Sequence, residues 1–222
     1  MKIGVLGTGV VGRVIAGKLL ALGNEVRLGS RSADNPTAGD WARVGGEQAS
    51  HGTFEDAAGF SELIFNCTPG MVSVAVLESL APEAVAGKLL VDVSNPLDFS
   101  GGFPPSLAVV NTDSLGEQIQ RALPDTKVVK ALNTVNSELM VNPGLLDGHH
   151  DLFIAGEDRG AKLFVRSLLV EFGWPADDVH DLGGIAAARG LEMYLPLWLA
   201  VMGTVGTATF NVHVVQATHP SG

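Results

Sequence analysis

The chain has 222 residues, 46% of them hydrophobic and 17% charged, which is enough apolar material for one large core and excludes a disordered tail. Its 14 basic and 24 acidic residues give a net charge of -10, which argues against a nucleic-acid footprint, because that needs clustered Lys and Arg. The single cysteine, Cys67, forms no intrachain disulfide, and the expected setting is a reducing, cytoplasmic one.

Short β-branched and apolar runs predict strands at Lys2–Leu6, Glu25–Leu28, Leu63–Cys67, Leu89–Val93, Lys127–Leu132 and Asp151–Ala155. Helical spacing is expected at Val10–Leu22, Met71–Leu80, Ser114–Leu123 and Arg159–Phe172, several ending near Gly or Pro. This alternation predicts a Rossmann-type, doubly wound parallel sheet of the α/β class. Past Pro143 the pattern loosens into one strand and helix, the loop GWPADDVHDLGG and an apolar end, so residues 1–145 are expected to form the nucleotide-binding domain. Residues 146–222 would form a small, mainly helical C-terminal domain for the acceptor and for dimerisation. The uncharged run Met193–Val212 is long enough to span a bilayer, but it contains Pro196, two glycines and Asn211, and no Lys or Arg follows it. The expectation is a helix buried on all sides, in a core or between the subunits of a homodimer, with no membrane span.

The glycines Gly7, Gly9 and Gly12 form G-x-G-x-x-G between a predicted strand and a predicted helix. In that context Gly7 permits the tight turn, Gly9 lets the backbone approach a pyrophosphate, and Gly12 allows close packing. An NAD-binding unit places an Asp or Glu about 20 residues further on, whereas an arginine there accommodates a 2′-phosphate. Here Ser30 and then Arg31 stand at the end of the second strand, and the reading is NADP(H). Asp34 lies close enough in sequence to compete for Arg31.

GTGVVG, GSR, CTPG, DVSNP and KALNTVNSE together resemble the F420-dependent NADP oxidoreductases, which pass hydride between NADPH and a deazaflavin. DVSN, KALNTV and ARGLE are also similar to the cytosolic oxidoreductase domain of the STEAP metalloreductases. The resemblance implies that Thr8, Gly9, Val10 and Val11 line the pyrophosphate and that Ser30 and Arg31 hold the 2′-phosphate. It further implies that Thr68, Pro69, Asn95 and Ser137 border the nicotinamide. These last four follow predicted strands, where ligands of such sheets sit, although Asn95-Pro96 also reads as a turn and Asn136-Ser137 as a helix cap. The chain departs from the family at Asn35 and Pro36, where a lysine is expected.

Three functions fit these residues: an NADPH oxidoreductase with F420, FMN or FAD as hydride partner, a reductase of a small carbonyl or imine, or a non-catalytic NADPH sensor. Hydride passing between stacked heterocycles needs proximity more than an acid or base, so no catalytic side chain is expected in the first. The histidines show no metal-ligand spacing. Tyr194 and Trp198 share a helical face and are read as core or as a wall for an aromatic acceptor, and Arg189 with Glu192 as a local ion pair.

Overall fold

The computed structural model describes residues 1–217, so His219 lies outside the described residues. Strands β1 (Lys2–Leu6), β2 (Glu25–Ser30), β3 (Ala49–Thr53), β4 (Leu63–Asn66) and β5 (Leu89–Asp92) come first, followed by a short hairpin of β6 (Leu97–Asp98) and β7 (Ser106–Leu107). Strands β8 (Lys127–Lys130), β9 (Leu152–Gly156) and β10 (Val179–Asp181) complete the set. The main sheet has eight strands in the order β10-β9-β8-β5-β4-β1-β2-β3. Every neighbouring pair is parallel except β8 with β9, where Val129 pairs with Gly156 in the antiparallel sense.

Helices α1 (Val10–Ala21), α2 (Pro36–Gly45), α3 (Phe54–Phe60), α4 (Gly70–Glu78), α5 (Pro82–Val85) and α6 (Leu115–Ala122) make the crossovers. Helices α7 (Ser137–Val141), α8 (Arg159–Phe172), α9 (Ala188–Met193) and α10 (Leu195–Val205) follow. The strands are apolar on both faces because helices cover both. Leu63 and Phe65 pack with Ile15, Leu19 and Val165 in one layer, and Ile64 between them packs with Leu77 and Ile119 in the other. Each such fully buried aliphatic side chain contributes about 1.5–3 kcal/mol.

The strand order departs in opposite directions from β1 and β4, so a crevice opens above their C-terminal ends. Several elements escape the apolar pattern. Strand β3, ASHGT, is a half-exposed edge strand, held by its register on β2 rather than by hydrophobic burial. Helix α3 is announced by a capping box in which Thr53 and Asp56 bond reciprocally. Strand β10 lies inside the segment read as a loop.

The expectation of a single helix buried in this chain's own core is corrected. The apolar run is no single buried helix: α9 and α10 are separate, residues 207–217 have no regular structure, and within α10 only Leu195 is buried. Leu197 is 59% exposed and Val205 53%, so this chain's own core does not cover the helix. The helical stretch Ile185–Val205 is long and apolar enough to cross a membrane by length and composition alone.

Candidate functional site

Strand β1 ends in a turn that only glycine can make. Gly7 has φ +120°, and a Cβ there would lie 2.5 Å from the Cys67 carbonyl oxygen. A Cβ on Gly12 would lie 2.0 Å from the Gly7 oxygen, whereas one on Gly9 would meet no atom within 4 Å. Two glycines therefore lock the turn against the end of β4, and the third faces open space at the N-terminus of α1. Gly9 is the N-cap of that helix and offers no side-chain cap, which leaves the first-turn N–H groups and the positive dipole end for an anion.

The Gly7 N–H donates to Gly29 O at 2.9 Å, which ties the loop to the end of β2. Ser30 is buried there, its hydroxyl donating to Ser32 O at 2.5 Å. Arg31 is exposed and, among the described residues, takes part in no ion pair or side-chain hydrogen bond. Asp34 does not compete for it: the Ser32 hydroxyl bonds Asp34, and that bond holds the Asp34 carboxyl below its ordinary range. Asn35 and Pro36, the family departure, start α2, with Asn35 accepting from the Ala38 N–H at 3.0 Å.

Across the sheet, a cavity of about 640 Å³ is lined by Gly9, Val10 and Val11, by Thr68 and Pro69 after β4, and by Ser94 and Asn95 after β5. Asn133 to Ser137 after β8, with Phe99, Leu195 and Trp198, close the remaining sides. Of the residues expected at the site, Gly9, Val10, Val11, Thr68, Pro69, Asn95 and Ser137 thus border one space. Gly7 and Gly12 lie beneath the loop, and Thr8, Ser30 and Arg31 lie outside this cavity, the last two at the neighbouring strand end.

Beneath the cavity floor is a polar network that the motifs did not reveal. Thr68 Oγ1 donates to Asn66 Oδ1 at 2.6 Å, and Asn66 Nδ2 donates to Asp92 Oδ1 at 2.8 Å. Lys130 Nζ, fully buried, reaches Asp92 Oδ2 at 2.7 Å, Glu192 Oε1 at 2.8 Å and the Ser94 carbonyl at 2.5 Å. Glu192 also accepts from the Leu115 and Gly116 N–H groups at 2.7 and 2.9 Å, at the N-terminus of α6. Burial works against the Lys130 ammonium, but Asp92 and Glu192 outweigh it and raise its pKa. The expected Arg189–Glu192 pair is therefore corrected: Glu192 turns inward to Lys130, and Arg189 bonds Glu117 at 2.6 and 2.8 Å. The available signal was a lysine in an otherwise apolar strand, VVKAL.

Just past Lys130, buried Leu132 has φ +65°, a conformation that costs a branched side chain about 1–2 kcal/mol. It turns the chain so that Asn133 and Asn95 bond each other twice, both at 2.9 Å, which joins two walls of the cavity. Trp198 borders the cavity and stacks on Phe210, with ring centroids 5.3 Å apart. Tyr194 is half-buried away from the lining, and burial raises its phenol pKa.

Among the described residues the lining carries no Asp, Glu, His, Lys, Arg or Tyr. Its one ionisable side chain, Cys67, is pushed upward by burial and by the Asp92 charge. Such a site can bind and align rings, and the polar groups of its described lining are hydroxyls and amides rather than acids or bases.

A glycine turn at the switch point of a parallel sheet, an open helix N-terminus and a neutral cavity beside it define a Rossmann-type dinucleotide-binding oxidoreductase. The model of the family "NADP oxidoreductase coenzyme F420-dependent" matches residues 2–96. The F420-dependent NADP reductase of Methanothermobacter marburgensis is 31% identical over 209 residues, covering 89% of this chain and 90% of the relative. A candidate F420-dependent NADP-reductase from Arthrobacter sp. FB24, solved as a crystal structure, is 48% identical, with a TM-score of 0.91 over 97% of this chain and 100% of that one. Metalloreductase STEAP3 of Rattus norvegicus is 30% identical over 89% of this chain, which spans 38% of that protein's length. The chain belongs to the family of F420-dependent NADP oxidoreductases.

Proposed function

We propose that this protein transfers hydride between NADP(H) and a flat heterocyclic acceptor, coenzyme F420 or a flavin. The supporting observation is the neutral lining of the cavity. Reduction of a carbonyl or imine calls for a positioned proton donor, whereas transfer between two stacked rings calls for proximity and alignment. When bound, the dinucleotide supplies the hydride through its nicotinamide ring, and everything else is the work of this chain.

In this reading the N–H groups of Thr8 to Val11 hold the pyrophosphate over the turn shaped by Gly7 and Gly12. Ser30 and Arg31 hold the 2′-phosphate, the arginine as a cation with no competing carboxylate among the described residues. Thr68, Pro69, Asn95 and Ser137 align the nicotinamide, kept in place by the network around Asp92 and Lys130. Leu195, Trp198 and Phe99 exclude water from the acceptor side. The exposed apolar face of α10 suits a second copy of the chain, and we place the protein in the cytoplasm as a homodimer.

The test is NADPH oxidation by the purified protein with F420, FMN and FAD supplied separately. Turnover with at least one of them is expected. NADPH binding without turnover of any acceptor would favour a sensor, and turnover with simple ketones or imines alone would favour the small-substrate reductase.

A further inference from the structure

Residues 207–217 carry no regular secondary structure, yet the stretch 208–214 is bonded at both ends. Near its start, Asn136 Nδ2 donates to Ala208 O at 2.8 Å, and Asn136 Oδ1 caps α7 by accepting from the Leu139 N–H at 2.9 Å. Phe210 then lies on the indole of Trp198, the rings inclined by 21°. At the far end the partner is Asp151, whose N–H donates to Val212 O and whose carbonyl accepts from Asn211 Nδ2, both at 2.8 Å.

The Asp151 carboxylate, only 1% exposed, accepts from the Val214 N–H and lies 3.1 Å from both His213 Nδ1 and His180 Nε2. Burial works to raise its pKa, but these three contacts outweigh it and hold the carboxyl below its ordinary range. His150 adds a further tie: its Nε2 faces the Pro143 carbonyl at 3.0 Å and so carries the proton, which leaves Nδ1 to accept from Asn211 Nδ2 at 3.0 Å. His149 pairs with Asp178 instead. Among the described residues these groups form no set able to hold a metal ion.

We infer that residues 207–214 form a strap that sets the acceptor end of the crevice, and that Asp151 is the positioning residue that holds it. The inference rests on the hydride-transfer reading of the cavity. Asp151 does not border the cavity, but Trp198 and Asn136 do, and the strap touches both. Because β9 runs antiparallel to β8, its N-terminal end lies at the same end of the sheet as Asn133 to Ser137. The clasp is therefore beside the acceptor wall and several strands from the glycine loop after β1. Freeing the strap would loosen the indole and the Asn136 cap of α7, beside Ser137 at the nicotinamide, while leaving in place the phosphate contacts that hold the dinucleotide.

The test uses the full chain with Asp151→Ala and, because that change also removes the contact with His180 on β10, Val214→Pro, which removes one N–H donor from an exposed position. Hydrogen exchange within 207–214 should rise in both variants. NADPH affinity by calorimetry should stay within about two-fold, while KM for F420 or flavin should rise about ten-fold, the scale of one charge-assisted bond, with a smaller change in kcat. A purely structural role would lower both ligands' affinities together, and that result would overturn the proposal. So would a freed strap with unchanged acceptor KM, or unchanged exchange in the two variants. Failure of the unaltered protein to reduce any acceptor would count against the function itself, and the exchange measurement would still show whether Asp151 holds the strap.

Discussion

The glycine-loop half of the crevice comes from one βαβ unit, Leu6 to Arg31, whereas the opposite wall gathers residues from Thr68 to Phe210. The first half is made of backbone: a positive φ at Gly7, a close approach at Gly12 and an open N-cap at Gly9. The second is made of side chains brought together over long distances, with Lys130 between Asp92 and Glu192 and with Asn95 bonded to Asn133. Binding a phosphate needs N–H groups and a cation, which a local motif can supply. Shaping a wall for a ring needs rigidity between separate segments, and here buried charge pairs provide it. The two halves should therefore fail differently when altered.

The largest effect is expected at Lys130. Its replacement by Ala leaves two buried carboxylates without their cation, and losing one partner of such a pair costs about 3–5 kcal/mol. Urea unfolding should show this loss, and a change below about 1 kcal/mol would mean that the cluster does not hold the wall. The glycines separate shape from binding. Gly12→Val forces atoms against the Gly7 carbonyl and should destabilise the fold by about 1–3 kcal/mol, whereas Gly9→Val should keep the thermal midpoint and abolish NADPH binding. Normal NADPH affinity in Gly9→Val would remove the loop from the site.

Arg31→Ala should weaken NADPH about ten- to a hundred-fold relative to NADH, as expected for a charge-assisted contact of about 1.5–3 kcal/mol. Calorimetry showing equal losses for the two cofactors would deny Arg31 that role. The smallest effect belongs to Asp113, whose pKa is lowered to about 2, chiefly by its hydrogen bonds from Arg121. A depressed carboxyl contributes stability above its unfolded pKa of about 4, and this is lost as pH falls from there towards 2. The pair is largely exposed, so Asp113→Asn should cost less than about 1 kcal/mol at neutral pH and flatten the acid limb, with ligand binding in both halves untouched.

The same contrast explains what was legible in the sequence. Gly7, Gly9, Gly12, Ser30 and Arg31 form a readable pattern because the backbone turn and strand end that they need are local. The main strands announced themselves as apolar runs, while β3, polar and half-exposed, and β10, three residues long, did not, both being fixed by pairing with neighbours already in place. Glu192 looked like a helical partner for Arg189, because spacing shows which residues share a helix face and not which buried cation lies beyond it. The bond from the Leu115 N–H to Glu192 crosses 77 positions, and the clasp between Asp151 and His213 crosses 62. No local pattern encodes such pairs. The apolar end read as a helix in need of cover, and only the fold shows that α10 turns much of its surface away from this chain's own core.

Direct hydride transfer inside the neutral cavity can be followed with NADPH deuterated at the reactive face of its nicotinamide C4. With F420 as acceptor, the deuterium should appear on the carbon that receives the hydride in the reduced deazaflavin and stay there, because a C–H bond at that position does not exchange with water. With a flavin, the label should be lost to solvent from the ring nitrogen while NADPH oxidation shows a primary isotope effect. Reduced F420 that carries solvent hydrogen instead of deuterium would contradict the account.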